Sequence, residues 1–225
     1  MATLLVIDNY DSFTYNLVQM FMHYDLGIDV VRSDQITLEA VAALRPDYLL
    51  VSPGPKDPAH AGISKALIAR FYRSIPIFGV CLGMQCINEV FEGQTRRAAA
   101  PMHGKTSRVF HQQAGLFGGI PSPFRVARYH SLAVWPTAQA LADDLVVTGR
   151  TLDGTVMGLS HQRYPLHGVQ FHPESFLTEH GFTLVENFLR LGPLQGCLPA
   201  NGPRPNPCAY QLLESGATFE MPGGC

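Results

Sequence analysis

Several familiar signals are missing from this chain, and each absence narrows the reading. No apolar run approaches the roughly 18 residues a membrane helix needs, so a membrane-spanning role is not expected. Charge of one sign is not in excess: Lys and Arg number 16 against 18 Asp and Glu, a formal net charge of −2, which leaves no electrostatic footprint for nucleic acid. The N-terminal residues enter an apolar strand, Leu4-Leu5-Val6-Ile7, without the basic region, apolar core and cleavage site of a secretory signal. Metal-ligand spacing is lacking too, with no C-x-x-C or H-x-x-x-H, so His103 and His130 give no metal site and no cofactor is expected. The five cysteines are odd in number, which argues for a reducing compartment rather than a disulfide framework; the cytoplasm is the expected location.

What is present is a core-building chain of alternating elements. Its 225 residues are 46% hydrophobic, enough for one sizeable core. Strands are expected at residues 4–8, 28–32 and 48–52. A helix carries Phe13, Leu17, Met20, Phe21 and Tyr24; Thr37 caps a second over Leu38–Leu44; a third covers residues 63–72. Alternation of this kind predicts an α/β fold with a mostly parallel central sheet, helices on both faces and ligands at the carboxyl ends of the strands. Residues 105–160 hold shorter alternating segments and turns, so a smaller antiparallel portion is expected there. A last helix is expected at residues 183–191, giving a domain over 1–191. From Gly192 onward the chain is rich in Gly and Pro and reads as a poorly ordered tail, 192–225.

The most informative stretch is Gly79-Val80-Cys81-Leu82-Gly83-Met84-Gln85. Ile75, Ile77, Phe78 and Val80 form an apolar strand, and the spacing turns helical from Met84 through Cys86, Ile87, Val90 and Phe91. A sharp strand-to-helix turn that pushes its side chain out of the sheet needs small neighbours two residues to either side, and Gly79 and Gly83 supply them. At a helix N-terminus the exposed N–H groups favour a thiolate at Cys81. Taken alone, the same pattern also fits a buried structural cysteine between chance glycines.

A partner for that thiol lies near the other end of the chain. His172-Pro173-Glu174 follows an apolar segment, residues 167–171, and Pro173 disfavours a helical His172, so an extended local chain would send His172 and Glu174 to one side. A carboxylate beside an imidazole fixes its tautomer and stabilises the imidazolium. Alone, H-P-E also fits a surface loop; with a helix-start cysteine on an α/β chain it reads as a triad.

With these blocks in view, the chain resembles a class I, triad-type glutamine amidotransferase, and within that class the glutaminase subunit of anthranilate synthase or aminodeoxychorismate synthase. The resemblance rests on Val6-Ile7-Asp8-Asn9-Tyr10-Asp11-Ser12-Phe13-Thr14-Tyr15-Asn16-Leu17, Ser52-Pro53-Gly54-Pro55, the Cys81 turn, Met102-His103-Gly104-Lys105-Thr106-Ser107, Arg128-Tyr129-His130-Ser131-Leu132 and Gly168-Val169-Gln170-Phe171-His172-Pro173-Glu174-Ser175, in the family's order. It implies that Cys81 attacks the carboxamide of L-glutamine, that His172 moves the proton and that Glu174 orients His172. It further implies that glutamine contacts Gly54, Pro55, Lys56, the Gln85 side chain and the backbone of Ser131 and Leu132, and that ammonia passes to a chorismate-binding synthase subunit. The oxyanion needs two fixed donors: the N–H of Leu82, next after the nucleophile, and the N–H of Gly54, which alone in Pro53-Gly54-Pro55 has one. P-G-P by itself is also simply a tight turn.

Lys56 and His60 depart from the residues usual in such relatives; His60 reads as a solvated loop residue and Cys86 as a small buried helix residue. Tyr129, His130, Lys105 and the loop from Asn9 to Thr14 are left for the partner interface or coupling. Two further classes stay open: a free-standing cysteine hydrolase of γ-glutamyl compounds and a catalytically silent regulatory subunit. The intact Cys81, His172 and Glu174 disfavour the second of these.

Overall fold

The computed structural model describes residues 1–196 and 198. In chain order the elements are β1 (Ala2–Asp8), α1 (Thr14–Phe21), β2 (Leu26–Arg32), α2 (Leu38–Leu44), β3 (Tyr48–Val51), α3 (Ser64–Phe71), β4 (Ile77–Val80), α4 (Leu82–Val90), β5 (Gln94–His111), β6 (Phe124–Trp135), α5 (Ala138–Asp143), β7 (Leu145–Thr151), β8 (Val156–His161), β9 (Leu166–Val169) and α6 (Gly181–Leu189). The strands form one sheet in the order β2-β1-β3-β4-β9-β8-β7-β5-β6. The α/β expectation holds.

The parallel half, β2-β1-β3-β4-β9, is built as the alternation predicts. Successive side chains of its strands enter opposite cores, because strand side chains alternate. Leu4, Val6, Leu50, Phe78 and Val80 pack with Leu17, Phe21, Leu184 and Phe188 of α1 and α6. Leu5, Ile7, Leu49, Val51 and Ile77 pack with Val41, Leu67, Ile68, Leu82 and Ile87 of α2, α3 and α4 on the other face. Thr37 caps α2 as expected, its hydroxyl accepting from the Ala40 N–H at 3.2 Å.

The antiparallel portion is larger than expected. It begins at Gln94, not near residue 105, and its strands β8, β7, β5 and β6 include the two longest of the sheet, at 18 and 12 residues. Short turn-rich segments hid this length, since β5 is broken by register shifts between Arg97 and Met102 and between His103 and Lys105. Gly104 takes φ +66 at the second irregularity, a conformation glycine adopts at little cost. Strand β9 joins the halves, pairing β4 in parallel and β8 antiparallel.

Helix α6 starts two residues before expectation, behind His180 at φ 58. Gly181 is required there: a Cβ would lie 2.2 Å from the Pro173 carbonyl oxygen. The first residues of the expected tail make a short 3-10 turn, Pro193–Gly196, where Leu194 is buried and its N–H donates to the Tyr48 hydroxyl at 2.9 Å. Beyond Gly196, only Leu198 of the tail is among the described residues, and it packs against the core on the α6 side of the sheet.

Candidate active site

The carboxyl ends of β1, β3, β4 and β9 converge, bringing Asp8, Ser52, Cys81 and Gln170 to one edge of the parallel half. Cys81 stands between β4 and α4 at φ 52, ψ −99, a strained backbone for a residue with a Cβ. The turn is tight enough to dictate its glycines. A Cβ on Gly79 would meet the Gly83 carbonyl carbon at 2.6 Å, and one on Gly83 would meet the Val51 carbonyl oxygen at 2.4 Å. The Cys81 N–H donates to the Val169 carbonyl at 2.8 Å, which ties the turn to β9.

Two residues past Gln170, His172 is buried and its Nδ1 bonds Glu174 Oε1 at 2.6 Å. The two side chains meet as expected, but through a turn rather than an extended chain: the Ser175 N–H folds back to the His172 carbonyl at 3.2 Å. Ala127 of β6 accepts the His172 N–H, also at 3.2 Å. Phe13 and Tyr129 pack against the imidazole, with ring centroids at 5.4 and 5.2 Å. Burial alone would lower the His172 pKa; Cys81 and Glu174, as hydrogen-bonding and charged partners, outweigh it and hold the imidazole well above its ordinary 6.5. His172 Nε2 is buried and has no hydrogen-bond partner among the described residues. Glu174 Oε2 is likewise buried without a partner among the described residues.

The loop holding Gly54 is anchored by a buried polar network. The Asn9 N–H donates to Ser52 Oγ at 2.8 Å, Asn9 Nδ2 donates to the Ser52 carbonyl at 3.1 Å, and the Ser64 hydroxyl donates to Asn9 Oδ1 at 3.0 Å. Asp8 braces the preceding loop by accepting from the Tyr10 N–H and the Thr14 hydroxyl, both at 2.9 Å, and pairs with Arg32 at 2.8 Å. Pro55 and Lys56 follow on the exposed part of the loop, with Lys56 at φ 65. His60 pairs with Asp57 at 2.7 Å on the surface, as fits a solvated loop residue. Cys86 is fully buried and burial pushes its thiol pKa up, which leaves it inert.

Leu132 and Ser131 lie in β6, where the Leu132 carbonyl accepts from His130 Nδ1 at 2.7 Å. His130 is buried, and its other nitrogen accepts from Arg128 Nε at 3.0 Å. Burial together with the Arg128 cation pushes the His130 pKa down to about 4, so it is neutral. His103 is exposed, and among the described residues no three His, Cys, Asp or Glu side chains form a group able to hold a metal. Gln85 is buried on α4 and bonds Gln170, a residue quoted in a sequence block yet given no role there.

Comparison with known proteins adds to this geometry. The family model for "Glutamine amidotransferase class-I" matches residues 5–191. The chain belongs to the class-I glutamine amidotransferase family. The amidotransferase is 52% identical to "Anthranilate synthase component 2" of Azospirillum brasilense, over 83% of this chain and 94% of the relative. It is 47% identical to "Aminodeoxychorismate/anthranilate synthase component 2" of Bacillus subtilis, over 83% of this chain and 95% of the relative. Among solved structures, a putative GMP synthase subunit from Thermoplasma acidophilum shares the amidotransferase fold at a TM-score of 0.74 and 24% identity, covering 85% of this chain and 94% of that one.

Proposed function

We propose that this amidotransferase hydrolyses L-glutamine through Cys81, His172 and Glu174, and delivers ammonia to a chorismate-binding synthase subunit. The product would be anthranilate or 4-amino-4-deoxychorismate. The observation that carries the chemistry is the buried His172–Glu174 hydrogen bond of 2.6 Å beside a cysteine on a strained strand-to-helix turn. The names of the Azospirillum and Bacillus relatives support the choice of acceptor.

The proposed steps use these three side chains in turn. Proton transfer from the thiol to His172 leaves a thiolate and an imidazolium that Glu174 stabilises. Sulfur attacks the carboxamide carbon, and the oxyanion is met by the N–H groups of Leu82 and Gly54. Gly54, Pro55, Lys56, Gln85, Ser131 and Leu132 hold the glutamine. The imidazolium returns its proton to the departing ammonia, and water then releases glutamate from the thioester with His172 as base. The amidotransferase unit spans 1–191, and the cytoplasm is its proposed location.

The test is Cys81→Ser in the complex with the synthase subunit. Glutamine-dependent synthesis should vanish while synthesis from added ammonium persists. Loss of both in an assembled complex would overturn the division of labour.

A further inference from the structure

Gln170 is fully buried at the carboxyl end of β9, and its side chain spans two site residues. Its Nε2 donates to Cys81 Sγ at 3.4 Å, and its Oε1 accepts from Gln85 Nε2 at 3.3 Å. Its own N–H donates to the Met157 carbonyl at 3.0 Å, which fixes the backbone from which the amide reaches. Cys81 therefore has two groups from one chain segment acting on it, Gln170 and, two residues later, His172 with Glu174 behind it.

A buried amide is costly unless both ends are bonded, and here Gln85 and the sulfur bond them. The direction matters. A thiol is a weak acceptor and a thiolate a strong one, so an N–H aimed at the sulfur favours the anion. A carbonyl aimed there would accept from S–H and favour the thiol instead. The Gln170 carbonyl is taken up by the Gln85 N–H, which leaves the Gln170 N–H for the sulfur.

We infer that Gln170 is a positioning residue for the nucleophile, an amide donor oriented by Gln85 that holds the Cys81 sulfur and favours its thiolate. This rests on the reading of Cys81 as nucleophile. Gln85 belongs to the proposed glutamine pocket, so a chain of two amides runs from the substrate side to the reacting sulfur.

The test titrates the sulfur directly. The full-length chain is treated with iodoacetamide from about pH 5 to about pH 10, and alkylation of the Cys81 peptide is followed by mass spectrometry. In Gln170→Met, which keeps length but loses the donor, the alkylation limb should move up by about one pH unit. Glutaminase kcat with the synthase subunit should fall about tenfold, with KM for glutamine within about threefold. Gln170→Glu guards against misfolding of the Met variant, and its negative charge should move the limb further upward. A folded variant with the limb and kcat unmoved would overturn the inference, as would a rise in KM alone or a downward shift in Gln170→Glu. Failure of the nucleophile reading would show separately, as wild-type protein that still releases ammonia after Cys81 is alkylated.

Discussion

Gly54 is pressed directly against Leu82: a Cβ at Gly54 would stand 2.5 Å from Leu82 Cδ2 and 2.6 Å from Asn9 Cβ. The two residues proposed to supply the oxyanion donors therefore come from loops in contact, although one follows β3 and the other opens α4. Gly54→Ala should push the loops apart. Glutaminase kcat should fall about a hundredfold, the scale of one lost oxyanion donor, while ammonium-dependent synthesis in the complex stays within about twofold. Paired steady-state assays on the variant complex check this, and retention of kcat would remove Gly54 from the oxyanion site.

His172→Ala should reduce ammonia release more than Glu174→Ala, because a badly oriented base still acts and an absent one cannot. Glu174→Gln separates charge from geometry. Glu174 is one of the groups raising the His172 pKa, so its neutral replacement lowers that pKa, and the basic limb of glutaminase kcat should move toward lower pH. A pH profile of kcat reads the direction, and an upward move would contradict the assignment.

His167 predicts acid sensitivity remote from the chemistry. Burial holds its pKa down to about 4, and its Nδ1 bonds the Ser160 hydroxyl at 2.7 Å. Between its ordinary 6.5 and about 4, the unfolded chain binds a proton that the folded chain excludes, so stability is lost as pH falls through that window. His167→Gln should shrink the difference in unfolding free energy between pH 7 and pH 4.5 by about 1–3 kcal/mol. Urea midpoints at the two pH values measure it.

The isolated chain should be a poor glutaminase that becomes active when the synthase subunit binds, above all with chorismate present. Uncoupled hydrolysis wastes glutamine, and His172 Nε2, which has no hydrogen-bond partner among the described residues, is a group that closure of the site would engage. Glutamate release by the chain alone, with partner, and with partner plus chorismate decides it. Full activity without a partner would favour a free-standing hydrolase.

Local chemistry wrote much of this site into the sequence. Gly79 and Gly83 announce a tight turn because no larger residue fits beside Val51 and the turn's own backbone, and Thr37 marks the start of α2 because a hydroxyl satisfies a free helix N–H. Near-continuous apolar runs marked β1, β3 and β4, because these parallel strands are buried on both faces. Tertiary structure decided the rest. The antiparallel half outgrew expectation because pairing partners and bulges are set by distant strands, and periodicity reports a side chain's face without naming its neighbour. His172 meets Glu174 through a turn that only the folded chain closes, and Gln170 reaches Cys81 across 89 residues because β4 and β9 lie side by side. Residue types and local geometry thus specified the reacting groups, whereas their distances and orientations came from long-range packing, which no local segment encodes.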